Sequence, residues 1–356
     1  MGTYLMSAAG RLADSIDSFI SEGRITMSWL FRLSGVVLSL AVLAAPLRAG
    51  VTEPLLPADT ESCVVINVRQ MLDSLLFKKH LLAPLRRMME DKGNELVRGI
   101  LADLGMDPLK DLDRVIIASP TTKDTDRGLI LLQGRFNLAK IRQKGEEAAR
   151  ENAENLRLHP TSMGGGKSHL LYEIVIPNRE DSVFAALLDQ RTLALSPGKD
   201  YVVEAVRKHQ SGNPAKLASA AFAEMLGKMD EKQSVGVAIV GEKVTLPESD
   251  AVTRLLRDKL GGIEGVGGGM TIDEDIKVEV LLAGPDRERA ESLHKAMDKG
   301  LRMTVAGLSL LGEERQELDL LLEVVKCLRV VLRGNSVVLV GKVPQNVIED
   351  FFKKDE

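Results

Sequence analysis

Aromatic residues are scarce in this 356-residue chain, at 3%. That argues against aromatic cages and against platforms that stack bases or sugars. There are two cysteines, far apart, and five histidines, of which no two stand i, i+4 on a helix. No zinc site is therefore indicated. Lys and Arg form no block, and the formal net charge is −4. The electrostatic footprint of a nucleic-acid binder is missing. No apolar run reaches the roughly 20 residues of a membrane-spanning helix. What is present is a charged content of 28% and a hydrophobic content of 44%, the balance of a soluble globular chain.

The most informative segment lies near the start. Met27-Ser-Trp-Leu-Phe-Arg32 is a short n-region with one positive charge, Leu33 to Leu47 is an apolar h-region, and Leu47-Arg48-Ala49 is a passable cleavage site. Residues 27–49 thus read as a secretory signal peptide. No Cys stands at the cleavage point, which argues against a lipid anchor. Residues 1–26 read as an extension or a start-site artefact, with Met27 as the start. Cleavage after Ala49 leaves 307 residues, enough for two ordinary domains or one large one. In an oxidising compartment Cys63 and Cys327 either pair or stay buried as free thiols; their spacing does not decide.

Three pairs of segments repeat in the same order. Ser62-Cys-Val-Val-Ile-Asn-Val68 resembles Ser234-Val-Gly-Val-Ala-Ile-Val240. Leu131-Leu-Gln-Gly134, before a helix opening at Asn137, resembles Leu281-Leu-Ala-Gly284, before a helix opening at Asp286. Leu187 to Leu195 resembles Val331 to Leu339, each followed by a helix. The offsets are 172, 150 and 144 residues, which points to an internal duplication. The units expected are 50–214 and 215–356.

In the first unit the pattern predicts strands at 62–68, 113–119, 128–135, 168–176, 182–188 and 191–196. It predicts helices over 70–104 with a break at Pro84, at 137–155 and at 200–210, and a connecting helix at 215–231. In the second it predicts strands at 234–241, 263–272 and 276–283, helices at 249–260, 286–310, 314–326 and 345–353, and a hairpin at 328–342. Hairpins mixed with helices indicate an α+β fold of two similar units, each a largely antiparallel sheet with helices packed on one face.

Several motifs invite chemistry and fail on context. Gly164-Gly-Gly-Lys167-Ser168 ends like a phosphate-binding loop, but Thr161 stands where the first glycine belongs and a strand-like run follows. It reads as a hairpin tip. The glycine run from Gly261 to Gly269 has Met270 at the third glycine of a dinucleotide fingerprint, so it reads as a strand lightened for a close neighbour. Asp124-Thr-Asp126 and Asp273-Glu-Asp275 lack calcium-loop spacing and read as polar turns. Gly307-Leu308-Ser309 is followed by Leu310-Leu311, so it is not a nucleophile elbow. His159 and His169, flanking the glycine triplet, are the best-placed histidines for a dispersed site. Leu72, Leu75, Leu76, Leu81, Leu82, Leu85, Met71, Met88 and Met89 read as helix-spaced core, or else as an apolar groove.

Leu56-Pro-Ala-Asp-Thr60, the following Val64-Val-Ile-Asn-Val68, and Leu104-Gly-Met-Asp-Pro-Leu-Lys-Asp-Leu-Asp113 resemble uncharacterised exported bacterial proteins of the planctomycete type. The resemblance covers about a tenth of the chain and implies no activity.

The expectation is therefore an exported, non-catalytic binding or structural module of the periplasm or cell envelope. It would have an envelope or extracellular partner, no nucleic acid, and no stable transmembrane segment after cleavage. No catalytic, metal or cofactor-binding residue is assigned. Two alternatives stand beside it: a carrier of apolar ligands in a groove between the two units, and a hydrolase with a dispersed site.

Overall fold

The computed structural model describes residues 53–90, 99, 101–102, 104–120, 127–162, 168–175, 182–213, 216–240, 263–311 and 316–352. The extension 1–26, the signal segment 27–49, the turn at 124–126, the glycine triplet with Lys167 and the helix expected at 249–260 lie outside the described residues.

The fold is α+β. Its strands are β1 (Ser62–Ile66), β2 (Leu112–Ser119), β3 (Leu129–Gly134), β4 (Leu156–Ser162), β5 (Ser168–Val175), β6 (Ser182–Asp189), β7 (Thr192–Ser196), β8 (Val235–Val240), β9 (Gly265–Ile272), β10 (Ile276–Ala283), β11 (Leu328–Arg333) and β12 (Ser336–Val343). The helices are α1 (Val68–Asp73), α2 (Leu82–Glu90), α3 (Pro108–Asp111), α4 (Leu138–Glu151), α5 (Lys199–Ser211), α6 (Ala220–Gly227), α7 (Arg287–Leu311), α8 (Gln316–Lys326) and α9 (Gln345–Phe352). A π-helical turn, Phe77–Leu81, leads into α2. Pro84 does not end the helical run, which passes from the wider π-helical turn Phe77–Leu81 directly into α2.

The strands form one twelve-stranded sheet in the order β11-β12-β10-β9-β8-β1-β2-β3-β7-β6-β5-β4. Every neighbouring pair is antiparallel. The two units meet where β1 pairs with β8. Read outward from that seam, β8-β9-β10-β12-β11 repeats the order β1-β2-β3-β7-β6. Unit one then adds β5 and β4 at its edge, and in unit two α8 occupies that place in the chain.

The registers carry the duplication residue by residue. Leu131 opposite Ala194 corresponds to Leu281 opposite Val338. Asp189 opposite Thr192 corresponds to Arg333 opposite Ser336, across two-residue turns at 190–191 and 334–335. These are the sequence offsets of 150 and 144. The offset of 172 needs correction. Ile116 pairs with Leu131 and with Val65, while Gly267 pairs with Leu281 and with Ala238. Val65 therefore matches Ala238, an offset of 173. Aligning Ser62 with Ser234 slips the strand by one residue and would exchange its faces. Val65 and Ala238 are both buried.

Helices are divided between the two faces. On one, α5 and α6 pack Val202, Val206, Phe222 and Met225 over Ile116, Leu131, Ala194 and Ala238 in the main core. On the other, α4 covers Leu193 and Leu195, and α7 covers the equivalent Val337 with Leu282. The glycine run of β9 has the expected reason. Gly265 and Gly267 face α6, and a Cβ on Gly267 would lie 2.3 Å from the Met225 sulfur.

Strand β4 was not among the expected elements. Pro160 and the alternating polar residues of Leu156–Ser162 argue against a strand, yet β4 is an edge strand, where proline is tolerated. Cys63 lies on β1 and Cys327 just before β11, and both are free thiols. Five strand spacings separate them, roughly 24 Å, against the 7 Å or less a disulfide needs.

Candidate functional site

A polar cleft of about 450 Å³ opens where β2, β3 and β7 end, lined by Asn67, Asp113, Arg114, Gln133, Asp189, Arg191 and Thr192. Its geometry starts from a bulge. Leu112 pairs with Gly134 and Arg114 with Gln133, so Asp113 is an extra residue in β2. Bulges redirect side chains and recur beside functional sites. The chain ends are then tied together. The Gly134 N–H donates to the Arg191 carbonyl at 2.9 Å, Phe136 N–H to Gln190 at 2.9 Å, and Arg135 N–H to Asp111 at 2.7 Å. Position 134 has no room for a side chain, since a Cβ would lie 2.0 Å from the Asp111 carbonyl oxygen. In the β6–β7 turn the Asp189 carboxylate accepts the Arg191 N–H at 2.7 Å, which fixes Arg191 at the rim.

Arg114, Gln133 and Thr192 stand on one rung across three strands and on one face. Their Cα atoms therefore span about 10 Å. Behind them lies Glu53, 6% exposed. Its carboxylate accepts the Leu55 N–H at 3.3 Å and the Gln133 side-chain amide at 3.1 Å. Burial pushes the Glu53 carboxyl above the ordinary carboxylate range, against the opposing pull of the Leu55 N–H and the Arg114 charge. Burial also pushes the neighbouring Cys63 thiol up to about 12. Arg114 is not hydrogen-bonded in return: its Nε and Nη2 are buried without a partner. An unsatisfied buried donor costs about 1–3 kcal/mol, more when charged, and so calls for an explanation.

The two acids of the cleft are engaged. Asp113 pairs with Arg69 at 3.2 Å. Asp189, besides the Arg191 N–H, faces His209 at 3.4 Å. The Asn67 amide donates to the Glu231 carbonyl at 2.8 Å and to the Gln233 carbonyl. A second cleft, about 560 Å³, lies between α1, α2 and α3, with Leu72, Leu82 and Met89 beside Arg69, Arg86 and Lys110. There Lys110 is paired with Asp107 at 2.7 Å.

The histidines do not converge. His159 Nε2 meets Glu173 Oε2 at 2.6 Å, and Ser182 Oγ donates to Glu173 Oε1 at 3.0 Å. The carboxylate thus stands between serine and imidazole, whereas a nucleophilic triad needs the imidazole in the middle. Ser182 meets a carboxylate of lowered pKa there, a weak base, and no imidazole. His169 is half-buried, which lowers its pKa, and it is bound to Leu187 backbone rather than to His159. His80 stacks on Phe352 at 4.6 Å, and His294 lies 3.3 Å from the Val330 carbonyl. Among the described residues no group of three or more His, Cys, Asp or Glu could hold a metal ion. At Asp273–Asp275, Asp275 instead accepts the Gln345 N–H at 3.2 Å and pairs with Lys342 at 2.6 Å, closing a polar turn. After the glycine triplet, β5 begins at Ser168, so the strand expected there is present and a phosphate-binding helix is not.

Sequence reasoning missed Arg114, Gln133, Arg191 and Thr192. One signal was available: Arg114 shares its strand face with Ile116 and Ala118, both buried, so a charge sits on the core side of β2.

No family model matches the chain, and no curated protein matches it. Among solved structures, crystal form I of the Treponema protein TP0453 is similar at 7% identity and TM-score 0.39, covering 86% of this chain and 98% of that one. Crystal form IV of TP0453 is similar at 8% identity and TM-score 0.42, covering 85% and 97%.

Proposed function

We propose that this chain is an exported, non-catalytic binding module of the periplasm or cell envelope that takes a small ligand in the polar cleft of unit one. The observation that carries the reading is the cleft itself: a small-molecule-sized space with convergent polar side chains and a cation, Arg114, whose buried nitrogens lack partners. Export rests on the layout at 27–49. The non-catalytic reading is supported by the order Ser182–Glu173–His159, which leaves the serine without an imidazole.

Two measurements test it. N-terminal sequencing of the protein from its native host should begin near Gly50; recovery from the cytosol with 27–49 intact overturns export. A thermal-shift screen over neutral, cationic and anionic small molecules should give a stabilising class. The same screen on Arg191→Cys in a Cys327→Ser background, capped with a bulky maleimide, should lose it. Stabilisation that survives the cap moves the site elsewhere.

One observation favours the apolar-carrier alternative. Ile117 and Ile130 are cross-strand partners, 42% and 36% exposed, on the sheet face that α4 and α7 cover farther out. Displacement of a fluorescent fatty acid, weakened in Ile117→Ser, would establish that function.

A further inference from the structure

We infer that the cleft of unit one binds the oxyanion group, carboxylate or phosphate, of a small molecule, held between Arg114 and Arg191. The inference rests on reading the cleft as the binding site and adds the ligand's chemistry. Its first support is the charge inventory. Asp113 is neutralised by Arg69, and Asp189 is held by the Arg191 N–H and His209. Among the described residues neither Arg114 nor the exposed Arg191 guanidinium forms a salt bridge, and only the charge of Glu53 opposes Arg114 from a distance. The cleft therefore presents two guanidinium groups outside any salt bridge, with the Gln133 amide and the buried Thr192 hydroxyl between them.

The second support is the shape of the unsatisfied group. Nε and Nη2 lie along one edge of a guanidinium, the edge that engages two oxygens of a carboxylate or phosphate at once. That edge of Arg114 is closed to solvent, so an anion reaches it through rotation of the side chain into the cleft it already lines. Glu53 lies within electrostatic range but is hydrogen-bonded to Leu55 and Gln133 instead. The arginine is thus balanced enough to be buried while keeping its directional donors free.

The third support comes from the duplication. By the same registers, the places of Arg114, Gln133, Arg191 and Thr192 are taken in unit two by Gly265, Ala283, Asn335 and Ser336. The backbone tie persists there, with Gly284 N–H donating to the Asn335 carbonyl at 2.9 Å. The framework is common to both units and the cations belong to one. The stoichiometry is therefore one anion per chain.

The test is calorimetric titration of the full chain at low ionic strength with inorganic phosphate and, separately, with succinate. Saturable binding of at least one probe, at one site per chain, is expected. Phosphate alone identifies a phosphoryl ligand and succinate alone a carboxylate. Arg191→Gln should weaken binding by about tenfold or more, the scale of one charge-assisted contact. Arg114→Lys should weaken it while keeping the charge, because lysine lacks the two-donor edge. Arg329→Gln, which removes an exposed charge on β11, should leave it unchanged. If Arg114→Lys does not fold, the exposed Arg191 variant carries the test alone. Absence of saturable binding for both probes, or equal binding in Arg191→Gln and wild type, overturns the assignment. Should both anions fail while neutral or cationic compounds bind and are lost on capping the cleft, the oxyanion assignment falls and the binding-module reading stands.

Discussion

The Met225 side chain of α6 rests on Gly267 of β9, where a Cβ would lie 2.3 Å from its sulfur. Met225 is 3% exposed and has nowhere to retreat. Gly267→Ala should cost about 1–3 kcal/mol, the usual penalty for overpacking. Gly307, on α7, has nothing within 4 Å of a built Cβ. Gly307→Ala should stabilise by about 0.5–1 kcal/mol through helix propensity. Chemical denaturation of the two variants checks both signs; equal effects would mean that close packing is not why β9 is glycine-rich.

Asn137 and Asp286 are equivalent caps. Asn137 Oδ1 accepts the Lys140 N–H at 3.0 Å, and Asp286 Oδ1 accepts the Arg289 N–H at 2.7 Å. Replacing either by Ala should cost about 1 kcal/mol, and the pair should add, since α4 and α7 pack into separate apolar clusters. Urea unfolding of the singles and the double measures this. A strongly non-additive double would show coupling between the two units through the shared sheet.

The hydrogen bond from His159, then that from Ser182, holds the Glu173 carboxyl below the ordinary range. A depressed carboxylate pKa contributes stability that is present above the unfolded value of about 4.3 and is lost as pH falls through the lower folded value. Wild type should therefore exceed Glu173→Gln in melting temperature at neutral pH, with the gap closing below about pH 4. A gap independent of pH would mean that shape, not charge, is what position 173 supplies.

Cys63 is fully buried and its thiol is pushed up to about 12, whereas Cys327 is partly exposed. A maleimide at pH 8 should label one thiol per native chain, Cys327, and two in denaturant. Native labelling of Cys63 would show that the seam between β1 and β8 opens.

Much of the fold was legible because alternation and capping are local. Ile276–Ala283 and the helix from Arg287 follow from period-two and period-3.6 patterns with an Asp cap, and two of the three repeat offsets match the observed registers. The failures are local ambiguities that neighbours settle. A serine matched to a serine slipped β1 against β8 by one residue, because short apolar strands carry no mark of which face is inward. Strand β4 was hidden by Pro160, admissible there because β4 is the edge strand of the sheet among the described residues.

The sequence by itself determined the α+β class, the repeated strand, turn and helix device, and the failure of the phosphate-loop and nucleophile-elbow motifs, since each depends on residues close together in the chain. Only the tertiary structure decided that the two units share one continuous sheet through β1 and β8, that Cys63 and Cys327 lie strands apart, and that Arg114 and Arg191, 77 positions apart in the chain, face one cleft. Side chains on β2 and in the β6–β7 turn become neighbours through the order in which strands pair, and that order is set by burying the apolar faces of the whole sheet at once.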